Sequence, residues 1–240
     1  MFDTHITDII QFIRERESEE GVSILDANAH RSWPVDERGT LVLSGDTAVE
    51  LGSPKTESTS FLVWSDAPGK VTNGRITLIG PDTIDETRRL VPFGKAVMVE
   101  VSGFDETNSH KRWLEMELAK YDVKLSGYMM RAVSQYQREW SRVSKKAKED
   151  GFSLAILGGA LIEKLMAFPY VHAAEVVFVT SSVQDVAALK AIGDKVAQIT
   201  GAMNKMVEKI DVDCDTCEYS AVCNTVSELK KMRAAIKKAK

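Results

Sequence analysis

A disulfide framework is the first thing this sequence lacks. Its three cysteines are an odd number in 240 residues, and they crowd into ten consecutive positions, too close for the spaced pairs of a secreted scaffold. Long apolar runs are missing as well: none approaches the roughly 18 to 20 residues that a membrane-spanning helix needs. The start, MFDTHITDIIQFIRERESEE, carries acidic residues early and has no small-residue cleavage site. A cytoplasmic protein without a membrane span is therefore expected. Neither sign of charge dominates, since 31 Lys and Arg against 35 Asp and Glu leave −4, so the basic footprint of a nucleic-acid binder is absent. The basic residues that bunch in KKMRAAIKKAK (Lys230 to Lys240) suit the solvated face of a last helix. G-x-S-x-G, H-E-x-x-H and P-loop patterns are missing too. Gly158-Gly159 in ILGGALIEKL lacks the spacing of a dinucleotide-binding turn and reads as close helix packing.

What is present is a change of texture along the chain. Ile6, Ile9, Ile10 and Ile13 recur at helical spacing and give a short amphipathic helix, a docking helix or arm over residues 1–30. From Thr40 to Ser102 the pattern turns to short β-branched runs, TLVLSG, TAVELG, SFLVW, RITLIG and KAVMVEV, each bounded by Gly, Pro, Asp or Asn as strands are. From His110, the series Leu114, Leu118, Tyr121, Leu125, Tyr128, Ala132, Tyr136, Trp140, Val143 and Ala147 steps by three or four. That predicts one long helix, or two broken near Ser126-Gly127, with its aromatic residues in the core. SLAILGGALIEKLM predicts a further helix and AEVVFVT (Ala174 to Thr180) a buried strand. Ser182 with Asp185 resembles a capping box opening a helix, whose core side is Val186, Leu189, Ile192, Val196, Ile199, Met203 and Met206. Strands first and helices afterwards predict an α+β fold: a mixed or antiparallel sheet from the first half, packed with helices of the second. The domain would span 31–205, with a Cys-rich segment and basic helix over 206–240.

The ten-residue stretch CDTCEYSAVC, with Cys214, Cys217 and Cys223, carries the strongest chemical signal. Thiolates at i and i+3 converge on one metal from a single turn, and the polar neighbours argue against three buried, unmetallated thiols. The fourth ligand divides the possibilities. Closed zinc needs four protein ligands, and His5, His30, His110, His172, Asp213 and Asp215 are the candidates, none at a zinc-finger spacing. A four-iron cluster leaves one iron to water, a carboxylate, a partner or a substrate, so three cysteines favour iron–sulfur over zinc. His172 itself, just before the predicted strand, reads as a structural or exposed histidine.

VTNGRITLIGPDTID, LVPFGKAVMVEVSG and WSRVSKKAKEDGFSLAILGGALIEKLMAFPYVHAAEVVFVT together resemble the middle region of acetyl-CoA synthase, the nickel–iron–sulfur subunit of the carbon monoxide dehydrogenase/acetyl-CoA synthase complex, over roughly Thr47 to Cys223. The most specific pieces are Ile79-Gly80-Pro81-Asp82, and Trp140-x-Arg142-Val143-Ser144-Lys145 followed by Gly151-Phe152. The resemblance implies that Cys214, Cys217 and Cys223 are the first three ligands of a 4Fe-4S cluster, with the family's second spacer shortened. It also implies contact with coenzyme A through basic and aromatic side chains. Arg131, Gln135, Arg138, Trp140, Arg142 and Lys145 supply such a set on one helical stretch, although Tyr136 stands where the family has arginine. The family's fourth cluster cysteine, its nickel-holding Cys-Gly-Cys and its large N-terminal docking domain have no counterpart in these 240 residues. The expectation is a truncated relative, an accessory protein of one-carbon metabolism in an anaerobe, with corrinoid or carbon monoxide dehydrogenase components as partners and no acetyl-CoA synthesis of its own even with nickel supplied. An enzyme working through the cluster's open iron and a zinc-stabilised interaction module are the competing expectations.

Overall fold

The computed structural model describes residues 1–17, 21–27, 32–134, 138–207 and 216–239. Two mixed sheets organise it. The five-stranded sheet runs β1 (Val22–Asp26), β4 (Arg75–Ile79), β9 (Val171–Val179), β6 (Phe93–Val101) and β3 (Ser58–Ser65). Its β1–β4 and β9–β6 pairs are antiparallel; the other two are parallel. The four-stranded sheet runs β5 (Leu90–Val91), β2 (Thr47–Leu51), β8 (Arg138–Ser144) and β7 (Tyr128–Ser134), parallel only between β5 and β2. Near-continuous apolar runs such as VHAAEVVFV in β9 belong to strands covered on both faces, and eight of its nine residues are buried.

Helix α4 (Leu154–Met166) lies on one face of the five-stranded sheet and α5 (Val183–Val207) on the other. A Cβ on Gly158 would stand 2.9 Å from Ile76 Cδ1 and 3.1 Å from Phe178, so the glycine sets how closely α4 approaches, as expected. Ser182 Oγ accepts from Asp185 N at 3.0 Å, which is the cap read from the sequence. Val186, Leu189, Val196, Ile199 and Met203 are buried, with Ile192 and Met206 packed beside them. Helix α1 (Asp3–Glu17) buries Ile6, Ile9, Phe12 and Ile13 against α5 and β3, and Arg16 meets Asp185 at 2.8 Å. The remaining helices are α2 (Ser109–Ala119), α3 (Lys145–Glu149), α6 (Ser220–Thr225) and α7 (Ser227–Ala239). Among the described residues no helix is long and apolar enough to cross a membrane.

The α+β class and the mixed sheets agree with the sequence reading; three local expectations do not. The helix expected from His110 to Ala147 ends at Ala119, a 3-10 turn follows over Lys120–Asp122, and the chain then forms the β7–β8 hairpin. TLVLSG is not a strand: Val42 alone is buried there, with Leu41 and Leu43 exposed on either side, and a 3-10 turn occupies Ser44–Asp46. The N-terminal region adds a strand that its exposed residues concealed, since β1 is an edge strand whose Ile24 is 59% exposed.

Candidate functional site

Period two, not 3.6, assembles the predicted basic set. On β8, Arg138, Trp140 and Arg142 alternate with Glu139, Ser141 and Val143, so the first three share the outer face and the second three face inward. Across the strand pair the register slips between Met130 and Ala132, making Arg131 a bulge residue. Its guanidinium consequently sits over the Trp140 ring, 4.5 Å from the centroid, while that of Arg142 lies 5.7 Å away. Arg142 is held by Glu50 Oε1 at 2.6 Å and donates to Val42 O at 3.3 Å. It is therefore a fixed, paired cation. Arg138 and Arg131 are exposed, Arg138 donating to Thr56 O at 3.3 Å. Lys145 opens α3 and donates to Gly45 O at 2.9 Å. Gln135 and Tyr136 lie outside the described residues.

Beneath this face lies a charge network that the sequence did not disclose. Glu139 is fully buried and pairs with Lys95 of β6, itself 2% exposed. Ser60 Oγ donates to Glu139 Oε2 at 3.0 Å, and Ser58 Oγ donates to the Glu139 carbonyl at 2.7 Å. Tyr128 completes the group through Ser141 at 3.0 Å. Burial pushes the Glu139 carboxyl up, but the Lys95 and Lys120 charges outweigh this and hold it below the usual carboxylate range. Burial likewise lowers Lys95 and raises Tyr128. The network ties β8 to β3 and β6, which fixes the outer face from behind. A lysine amid the buried run FGKAVMVEV was its one visible signal.

The most specific stretch of the resemblance proves to be a joint. Asp82 Oδ1 accepts from Leu154 N at 2.7 Å and from Thr83 N at 2.5 Å, and Thr83 Oγ1 donates to Phe152 O at 2.8 Å. Ile79-Gly80-Pro81-Asp82 and Gly151-Phe152 thus meet at the start of α4. Burial raises the Asp82 carboxyl above the usual range. Asp82→Ala is expected to cost about 1–2 kcal/mol in urea unfolding, as lost caps do, and Asp82→Asn, which keeps the accepting oxygen, to recover most of it.

Of the cysteines, Cys217 is half-buried, Cys223 is buried, and neither forms a disulfide; Cys214 lies outside the described residues. Cys217 O accepts from Ser220 N at 3.0 Å, and Tyr219 O accepts from Cys223 N at 2.9 Å, so a turn that starts at Cys217 leads into α6, which carries Cys223. The segment is seated on α5 by Tyr219, whose ring occupies the space where a Gly201 Cβ would stand, 2.8 Å away. Thiolates in such a set suit a soft metal or an iron–sulfur cluster. Among the described residues no His, Cys, Asp or Glu group of three gathers to hold a metal. His110 Nε2 bonds Asn204 at 2.8 Å, exposed His172 bonds Ser102 at 2.6 Å, and His5 sits on α1 beside Phe2. His30, Asp213 and Asp215 lie outside the described residues.

Residues 35–186 match the model of a family described as CO dehydrogenase/acetyl-CoA synthase complex beta subunit. The acetyl-CoA decarbonylase/synthase complex subunit beta of Methanopyrus kandleri is 32% identical over 134 residues, 54% of this chain and 28% of that protein. The subunit of the same name from Methanothermobacter thermautotrophicus is 31% identical over 132 residues, 53% of this chain and 27% of that protein. The matched part thus spans little more than a quarter of each relative's length.

Proposed function

The chain belongs to the CO dehydrogenase/acetyl-CoA synthase complex beta subunit family, and from that premise we propose an accessory iron–sulfur protein of one-carbon metabolism that binds coenzyme A and acts with components of such a complex. One observation carries the coenzyme A reading: Arg131, Arg138, Trp140 and Arg142 stand on a single rigid face inside the family-matched region. Guanidinium forks match phosphate geometry, and Arg142, already paired with Glu50, serves to order the face while Arg131 and Arg138 remain exposed to a ligand. Stacking of adenine on Trp140 would have to displace Arg131, so phosphate contact is the main role here. Coenzyme A is expected to bind with an affinity that falls several-fold as salt rises from about 0.05 to about 0.5 M. Calorimetry without heat and melting curves without a shift at about millimolar ligand would refute the site.

Cys214, Cys217 and Cys223 would hold the cluster, which supplies one iron not fixed by a protein thiolate. The support is chemical: a three-thiolate set, with Cys217 and Cys223 seated on α5 through Tyr219. Protein purified without oxygen is expected to be brown and to contain iron and acid-labile sulfide, with most of the iron lost in Cys217→Ser. Colourless protein with about one tightly bound zinc per chain would overturn this reading in favour of a zinc-stabilised module.

A further inference from the structure

A cleft of about 360 Å³ runs along the outer edge of β7, between that strand, the turn at Gly39–Thr40 and the segment Lys120–Lys124. Three cations reach it, but they are not equivalent. Lys120 is answered by Glu117 Oε2 at 2.5 Å. Lys124 and Arg131 are exposed and, among the described residues, pair with no carboxylate. Asp36, an acid on the facing turn, is engaged within that turn by Arg38 N at 3.2 Å and Thr40 Oγ1 at 3.0 Å. Beside the buried Val123 and Tyr128, the lining offers soft and flat groups: the half-exposed ring of Tyr121 and the half-buried thioethers of Met129 and Met130. Thioethers and a phenol ring accept a planar ring, and two cations outside any ion pair of the described residues accept a phosphate attached to it. The volume suits a base with its sugar phosphate and is too small for a whole coenzyme A. Arg131 lines this cleft and also covers Trp140, which makes the cleft continuous with the basic face of β8.

We propose that this cleft is the subsite for the base-and-phosphate end of the ligand, the 3′-phosphoadenosine of coenzyme A, with the thiol-bearing arm lying outside it. The inference rests on the coenzyme A reading above and assigns Tyr121, Lys124, Met129 and Met130 to a role that reading leaves open. Titration calorimetry on the full chain tests it with coenzyme A, 3′,5′-ADP, dephospho-coenzyme A and 4′-phosphopantetheine. Adenosine 3′,5′-bisphosphate should bind and displace coenzyme A, 4′-phosphopantetheine should not displace the bisphosphate, and removal of the 3′-phosphate should weaken binding about tenfold. Lys124→Gln and Tyr121→Ala, both at exposed positions, should each weaken coenzyme A and the bisphosphate by about tenfold and leave the melting temperature in place. Coenzyme A bound equally well by wild type and both variants would overturn the subsite while sparing the wider reading. Bisphosphate binding without any coenzyme A binding would overturn both, since the cleft would then serve no coenzyme A site, and so would silence from all four ligands.

Discussion

Lys95→Met is expected to destabilise the protein by about 3–5 kcal/mol in chemical unfolding, because it leaves the fully buried Glu139 carboxylate without its ion-pair partner. The cost belongs to the unpaired charge and not to the pair, so Lys95→Met combined with Glu139→Leu should recover most of it. A double variant as unstable as the single one would show that packing, not charge, holds β8 in place. The pH dependence separates the two cases further. In the wild type Glu139 sits below the usual carboxylate range, so its contribution is complete above that range and is lost as pH falls through its native value. Without Lys95 the buried carboxyl rises, and protonation relieves the folded state. The stability gap between Lys95→Met and wild type should therefore narrow from about pH 7 to about pH 5.

Gly52→Val should be nearly as damaging, at about 3 kcal/mol, and should also weaken coenzyme A. Gly52 has φ +64°, and a Cβ there would stand 2.2 Å from the Glu139 carbonyl and 2.7 Å from Ser58 Oγ. A side chain would force β8 off β3 and carry Arg138 and Trp140 with it. Gly69→Val is the control. Gly69 has a comparable φ of +80° with nothing within 4 Å, so it bears the backbone strain alone. Equal losses of stability in the two variants, or unchanged coenzyme A affinity in Gly52→Val, would rule out the proposed coupling between the inter-sheet contact and the ligand face.

The sequence disclosed elements wherever burial and polarity agreed. TAVELG, SFLVW, RITLIG and KAVMVEV lie in β2, β3, β4 and β6, and α4, β9 and α5 fall where their patterns place them. The β7–β8 hairpin was lost because polarity there is inverted. Its inward positions include Glu139 and Ser141, while its outward face carries Trp140, so the alternation of a half-buried strand was cancelled. What remained was a spacing of three and four among aromatic and aliphatic residues, which looks helical. Of the basic set expected on a helix face, Arg131 and Arg142 instead meet over Trp140 through a bulge and a two-residue repeat, with Arg138 on the same strand face. Partners were beyond reach: Lys95 and Glu139 lie 44 positions apart in the chain, and nothing local in either stretch points to the other.

Helix α5 begins at Val183, and the family match ends at residue 186, within the first turn of that helix. The helices α1 and α7 that pack on α5 fall outside the matched span altogether. The family match and the cooperative packing unit therefore have different borders in this molecule. A fragment cut at the limits of that match would lose most of α5 and bare the sheet side that Leu189 covers beside Gly94 and Val179, leaving an unfinished globule prone to self-association. Exchange of parts with its relatives must respect the cooperative border, not the limits of the match.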